Sequence, residues 1–229
     1  MQMSVAHQPF VRLADPVEDA VPLFDVCKKT VGPALRAGTP NLIAPYIWNV
    51  PYLRLCPEYC FAVDDGNGNA VGYVICAPNT PEFAKKWREE YLPILESLDP
   101  LLRKPEMDPP ADWGKDLTLG VLQLLYNPED MLHDACPKLV EEYPAHLHID
   151  ILPDYQRKGF GKKLMEALWD KLREAGVKGV HLVMEGRNLD AERFYMAIGY
   201  SRFDEIVDEG KSGERGKDVN GNLWMVKRL

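Results

Sequence analysis

The chain has 229 residues, 46% of them hydrophobic, and a formal net charge of −8 at pH 7. That length can bury one good core. The acidity argues against a general nucleic-acid binder, and no apolar run reaches the roughly 20 residues that a membrane span needs. No charged-then-apolar leader is read at its start. Five cysteines, at 27, 56, 60, 76 and 136, form no Cys-x-x-Cys pair. This fits buried thiols in a reducing, cytoplasmic setting rather than a disulfide frame or a zinc ribbon. No base stands beside Cys56 in the sequence, which argues against a nucleophile there.

In chain order, residues 1–8 read as a disordered tail. Residues 10–13 read as a first strand, and Asp15 and Pro16 open a helix with Ala20, Leu23, Phe24 and Cys27 on one side. Residues 32–57 are rich in proline and aromatics. They read as a packed irregular loop, or as one wall of a binding pocket. Residues 59–63 and 70–76 form a β-hairpin around Gly66 and Gly68. Thr80 reads as an N-cap with Pro81 at the first helical position, followed by Phe83, Trp87 and Tyr91 at a spacing of four. Residues 98–116 read as a polar surface loop. The apolar stretch 117–126 is open between strand and helix, and 131–142 reads as a helix leading to a central strand.

That strand, 147–153, ends at Gln156-Arg157-Lys158-Gly159-Phe160-Gly161. A helix over 162–175 follows, with Leu164, Leu168 and Leu172 four apart and Gly176 as its stop. Residues 180–184 are a strand, and Asn188 caps a helix whose stripe is Ala191, Phe194, Tyr195 and Ile198. Gly199 ends it. Residues 200–207 read as a strand, a charged loop carries Gly210, Gly213, Gly216 and Gly221, and 223–226 close the sheet. Strands interleaved with helices predict an α/β (α+β) sandwich around one mixed sheet.

The turn at 156–161 is the most informative stretch. A helix N-terminus exposes unpaired N–H groups, and glycine lets an anion approach them closely. Arg157, Lys158, Lys162 and Lys163 crowd into it, with no acid between them in sequence, in a chain that is acidic overall. This points to a polyanionic ligand; an ordinary strand–turn–helix with a solvated basic face is the alternative. The turn is neither a dinucleotide fingerprint nor a P-loop, since both need glycines that this stretch lacks.

A strand ending in proline before Gln-x-x-Gly-x-Gly, a second strand before Asn188-x-x-Ala191-x-x-Phe194-Tyr195-x-x-x-Gly199-Tyr200, and an aromatic–apolar last strand together resemble the GNAT superfamily of N-acetyltransferases. The likeness covers nearly the whole chain. Within the superfamily, Tyr59-Cys60-Phe61, Gly72-Tyr73, Pro81 to Lys86, Tyr143-Pro144, Ile149-Asp150-Ile151 and Glu192 to Tyr195 look most like the acetyltransferase-like C-terminal domain of animal O-GlcNAcases. That animal domain lacks the intact glycine turn, which this chain keeps.

The resemblance implies a mixed, mostly antiparallel sheet flanked by helices and splayed between its central strands. It implies one domain over 9–229, with an inserted helical and loop region at about 77–142. It also implies acetyl-CoA, its diphosphate cradled by Gln156, Arg157, Lys158, Gly159, Phe160, Gly161 and Lys162, and its pantetheine arm lying along Ile151 and Leu152. A main-chain N–H there would steady the oxyanion of acyl transfer. Asn188 matches a position that touches the coenzyme arm or caps its helix, and Tyr195 matches the tyrosine that protonates the leaving thiolate.

A base must take the proton of the acceptor amine. His146, His148 and Asp150 alternate, so a strand puts them on one face. Asp150 is the first candidate and His148 the second, with structural roles as the alternative and no metal expected. The expected activity is acetyl transfer to a primary amine, on a small molecule or a protein, by direct attack. A non-catalytic acetyl-CoA-binding or protein-interaction module is the alternative. Neither nucleic acid nor membrane is an expected partner.

Overall fold

The computed structural model of the chain describes residues 8–106, 116–134, 136–205, 207 and 221–229. The tail expected at 1–8, apart from residue 8, and the glycines at 210, 213 and 216 lie outside them. Among the described residues, seven strands form one sheet: β1 (Phe10–Leu13), β2 (Phe61–Asp64), β3 (Ala70–Ala77), β4 (Ala145–Ile151), β5 (Gly179–Glu185), β6 (Ser201–Arg202) and β7 (Asn222–Arg228). Their order is β1-β2-β3-β4-β5-β7-β6, and of the pairs among the described residues β4–β5 alone is parallel. The fold class expected from the sequence is the one found.

One face is covered by α1 (Ala20–Thr30), and by α2 (Gly38–Ile43), α3 (Pro45–Trp48) and α4 (Val50–Leu55). The stretch read as an irregular loop is therefore three short helices. Pro40, Pro45 and Pro51 sit in their first turns, where a missing N–H costs nothing. The same layer holds α5 (Thr80–Lys86), a π-turn at Trp87–Tyr91, α6 (Leu92–Leu98) and α7 (Leu117–Leu125). Phe83, Trp87 and Tyr91 are all buried, and the Trp87 indole N–H donates to the Leu125 carbonyl at 3.1 Å. The cap of α5 is Asn79, whose side chain takes the Glu82 amide. Thr80, expected there, is buried one residue inside with a different task.

The helix expected at 131–142 is broken. A 3-10 turn covers Pro128–Leu132, His133 adopts a left-handed φ of 52°, and α8 covers only Pro137–Glu142. The strand expected at 200–207 is paired only over β6. The opposite face carries α9 (Phe160–Glu174) and α10 (Leu189–Ala197). The Leu164, Leu168 and Leu172 stripe of α9 is fully buried against Val63, Val74 and Leu147, and Gly176 ends the helix at a φ of 71°.

Candidate active site

β4 and β5 are in register only at Ala145↔Val180 and His146↔His181. Beyond these pairs the two parallel strands part, leaving an open seam at their C-terminal ends. In an antiparallel ladder, successive residues point their N–H and C=O groups to opposite sides. The Leu152 amide donates to Val71 O of the β3 side at 3.0 Å, so the amides of Ile151 and Ile149 turn toward the seam. The Leu152 N–H is thus already taken, while the Ile149 and Ile151 amides face the seam.

The glycine turn stands at the end of this seam. A 3-10 turn over Pro153–Tyr155 leads into it. The Gln156 amide donates to Pro153 O, and the Gln156 side chain donates to Ile151 O at 2.7 Å, tying the turn to the strand end. Arg157 and Gly159 take positive φ values of 60° and 84°. That conformation is ordinary for glycine and strained for arginine. No described carbonyl accepts the amides of residues 157–162; the first N–H of this region to find one is Lys163, on Gly159 O.

The charges are less isolated than the sequence implies. Arg157 lies 3.3 Å from Asp190 and Lys162 3.6 Å from Glu166, both exposed pairs. Lys158 and Lys163 have no carboxylate partner among the described residues, and each lies over an aromatic ring, Tyr155 and Phe160 respectively. Free amides at the start of a 15-residue helix, with unpaired lysines beside them, fit a diphosphate.

Two glycines fix the close packing around this point. A Cβ on Gly161 would stand 3.1 Å from the Phe194 ring, and one on Gly72 would stand 3.0 Å from Asp150 O. These contacts bring the start of α9, the end of β4 and α10 together. Tyr195, next to Phe194, is buried, and no described residue bonds its hydroxyl. Burial raises its pKa, and the charge of Asp150 adds to the shift. Asn188 caps α10, accepting from the Ala191 amide at 3.0 Å.

On the face opposite α9 lies a cavity of about 970 Å³. It is lined by His146 and His148 of β4, by His181 and Val183 of β5, and by Trp48, Tyr52, Trp87 and Trp224 around them. His148 and Val183 come after the last residues that pair β4 with β5, so the cavity reaches the seam. Residues 32–57 contribute Ile47, Trp48 and Tyr52 to its wall. Asp130 and Asp134 stand on its exposed side.

The two candidate bases share a face but not an environment. Asp150 is outside the cavity lining, two residues and roughly 7 Å further along the strand. Burial raises its pKa to about 6, against the lowering effect of hydrogen bonds from Tyr73 and Thr30; the Tyr73 hydroxyl donates to it at 2.8 Å. His148 lines the cavity, and burial lowers its pKa to about 4. Burial likewise depresses His146, with the neighbouring imidazoles adding to the effect, and takes His181 to about 3. His146, His148 and His181 therefore present neutral imidazoles to the cavity at pH 7. Among the described residues, Cys56 is a buried free thiol pushed up to about 12, which removes it as a nucleophile. Sequence spacing does not bring Tyr52, Thr80 or His181 to this cavity; the His–x–His alternation of β4 and the His181 of the next parallel strand are the signal it offers.

The family model of the acetyltransferase (GNAT) family matches residues 112–200, which contain β4, the turn, α9 and α10. The ribosomal protein bS18-alanine N-acetyltransferase of Escherichia coli (strain K12) is 33% identical over 67 residues, 29% of this chain and 45% of that protein. The chain thus spans less than half the length of the curated relatives it matches. The crystal structure of SsHAT is 32% identical, with a TM-score of 0.77 over 96% of this chain and 98% of that one. The PaiA N-acetyltransferase from Thermoplasma acidophilum, solved in complex with coenzyme A, shares the fold at 10% identity and a TM-score of 0.52, over 97% and 99% of the two chains. With the splayed sheet and the glycine turn, the family match over residues 112–200 and the 32% identity to SsHAT along nearly the whole chain lead to one conclusion: the chain belongs to the acetyltransferase (GNAT) family.

Proposed function

We propose that the chain transfers an acetyl group from acetyl-CoA to a primary amine, by direct attack of that amine across the seam between β4 and β5. The observation that carries this reading is the set of unbonded amides at 157–162, placed at the end of a seam whose other side is a large cavity. When bound, acetyl-CoA supplies the acetyl group as a thioester. The amides from Arg157 to Lys162, with Lys158 and Lys163, would hold its diphosphate, and Ile151, Leu152, Gln156 and Asn188 would border its arm. The amine enters from the cavity side. There His148 takes its proton, because His148 lines the cavity and Asp150 does not. The Ile151 or Ile149 amide steadies the negative charge that develops on oxygen, and the Tyr195 hydroxyl donates to the departing sulfur, an ordinary role for a group with no other bond.

The acceptor is a small amine or a protein amine. Residues 9–229 act as one domain, with 77–142 inserted to form the cavity wall, and the protein works in the cytoplasm. No described helix is long and apolar enough to cross a membrane. Within the family, the segments that resemble the acetyltransferase-like domain of animal O-GlcNAcases support a kinship with that group, with the coenzyme turn retained.

Thermal melting with acetyl-CoA tests the cofactor. Ligand at 100 times its dissociation constant adds about 2.7 kcal/mol, which for a chain this long raises Tm by roughly 5–10 °C. No shift at millimolar acetyl-CoA removes the reading. Release of free thiol with a panel of amines then separates an enzyme from a module that only binds acetyl-CoA.

A further inference from the structure

Around the cavity, four polar groups form a chain of short contacts that leads away from His148. The Tyr52 oxygen lies 3.0 Å from His148 Nε2 and 2.8 Å from His146 Nε2. His146 Nδ1 lies 2.8 Å from Thr80 Oγ1, and Thr80 Oγ1 lies 2.7 Å from the Pro144 carbonyl oxygen.

Proton counting along this chain has one direction. A carbonyl cannot donate, so the single Thr80 hydroxyl proton goes to Pro144 O. Thr80 Oγ1 then accepts from His146 Nδ1–H. A neutral imidazole carries one proton, which leaves His146 Nε2 as an acceptor for the Tyr52 hydroxyl. The Tyr52 oxygen, its proton spent, accepts from His148 Nε2–H. His148 is neutral at pH 7, so its Nδ1 carries a lone pair. No described residue bonds that nitrogen, and it is not among the buried polar atoms left without a partner, so it is open to the cavity.

We infer that Thr80, His146 and Tyr52 are positioning residues that fix the tautomer and orientation of His148, presenting its Nδ1 lone pair to the acceptor amine. This rests on the proposed acetyl transfer and deepens it. As the amine nitrogen bonds the acetyl carbon, its N–H bond breaks and the proton joins His148 Nδ1. The resulting imidazolium keeps its Nε2–H on the Tyr52 oxygen, a charge-assisted bond stronger than the neutral one before it. The chain is buried: Tyr52 is 2% exposed, His146 7% and Thr80 0%. Tyr52 stacks on Phe83 with ring centroids 4.6 Å apart, so its ring is held independently of its hydroxyl.

The test has two arms. Ring-nitrogen NMR of the full chain at pH 7, without ligand, should show the His148 proton on Nε2 and the His146 proton on Nδ1. Kinetics should show Tyr52→Phe, which keeps the stacked ring, lowering kcat by about tenfold to a hundredfold with little change in KM. Thr80→Ser should retain the wild-type His146 tautomer and kcat, while Thr80→Val should lose both. A His148 proton on Nδ1, or an unchanged kcat in folded Tyr52→Phe, overturns the inference. If acetyl-CoA leaves the wild-type melting temperature unmoved, the proposed function fails, and the NMR arm decides the tautomer by itself.

Discussion

The neutral imidazoles that line the cavity come at a cost in acid, and His181 shows its size. The residue is 2% exposed, its Nδ1–H donates to the Tyr143 carbonyl at 2.7 Å, and burial is the main cause that lowers its pKa from 6.5 to about 3. An unfolded chain binds a proton at this position as pH falls below 6.5, whereas the native chain does not until about 3. Stability linked to His181 is therefore complete above 6.5 and is lost as pH falls between those values. At pH 5 the loss spans 1.5 pH units, or about 2 kcal/mol at 1.36 kcal/mol per unit. Urea unfolding at pH 8 and pH 5 measures it in wild type and in His181→Leu. The variant loses a hydrogen bond and packing at both pH values, so only the change with pH reports the titration. Wild type should lose about 2 kcal/mol more than His181→Leu between the two pH values. Equal losses in the two proteins would refute the claim that the fold holds this imidazole neutral.

The base assignment predicts a kcat that holds from pH 7 to pH 5, because the His148 pKa lies near 4; a fall of about tenfold over that range, absent in Asp150→Asn, would transfer the role to Asp150, whose value lies near 6. Tyr195→Phe should lower kcat by about a hundredfold while acetyl-CoA binding in calorimetry stays as in wild type; equal turnover would leave the hydroxyl without a role. Gly161→Val sets a branched side chain against the Phe194 ring, where the first added carbon already meets it at 3.1 Å. The crowding costs about 1–3 kcal/mol. Its expected mark is weaker acetyl-CoA affinity, and an unaltered dissociation constant would show that the turn does not depend on this contact.

Local rules made the periodic parts of the chain legible. The α9 stripe, the Asn188 cap, the left-handed stops at Gly176 and Gly199 and the hairpin around Gly66 each follow from a few neighbouring residues, and the structure has them. Where prolines recur every five or six residues, the sequence reads as loop, yet Pro40, Pro45 and Pro51 each open a short helix, because packing on β3 and α1 supplies the stability that so few residues lack by themselves. Thr80 reads as a cap because a hydroxyl residue before proline commonly caps; Asn79 does so instead, and the Thr80 hydroxyl turns inward to His146.

By itself the sequence determined the family turn, the strand that precedes it and the sharing of one face by His146, His148 and Asp150, since each depends on spacing within a single element. Only the tertiary structure decided that β4 and β5 part after one pair of histidines, that Leu152 spends its amide on Val71, and that Tyr52, 94 residues before His146, joins the two imidazoles. Hydrogen bonds between distant segments leave no period in a sequence, so the direction of His148 toward the cavity is set by chain packing rather than by neighbouring residues.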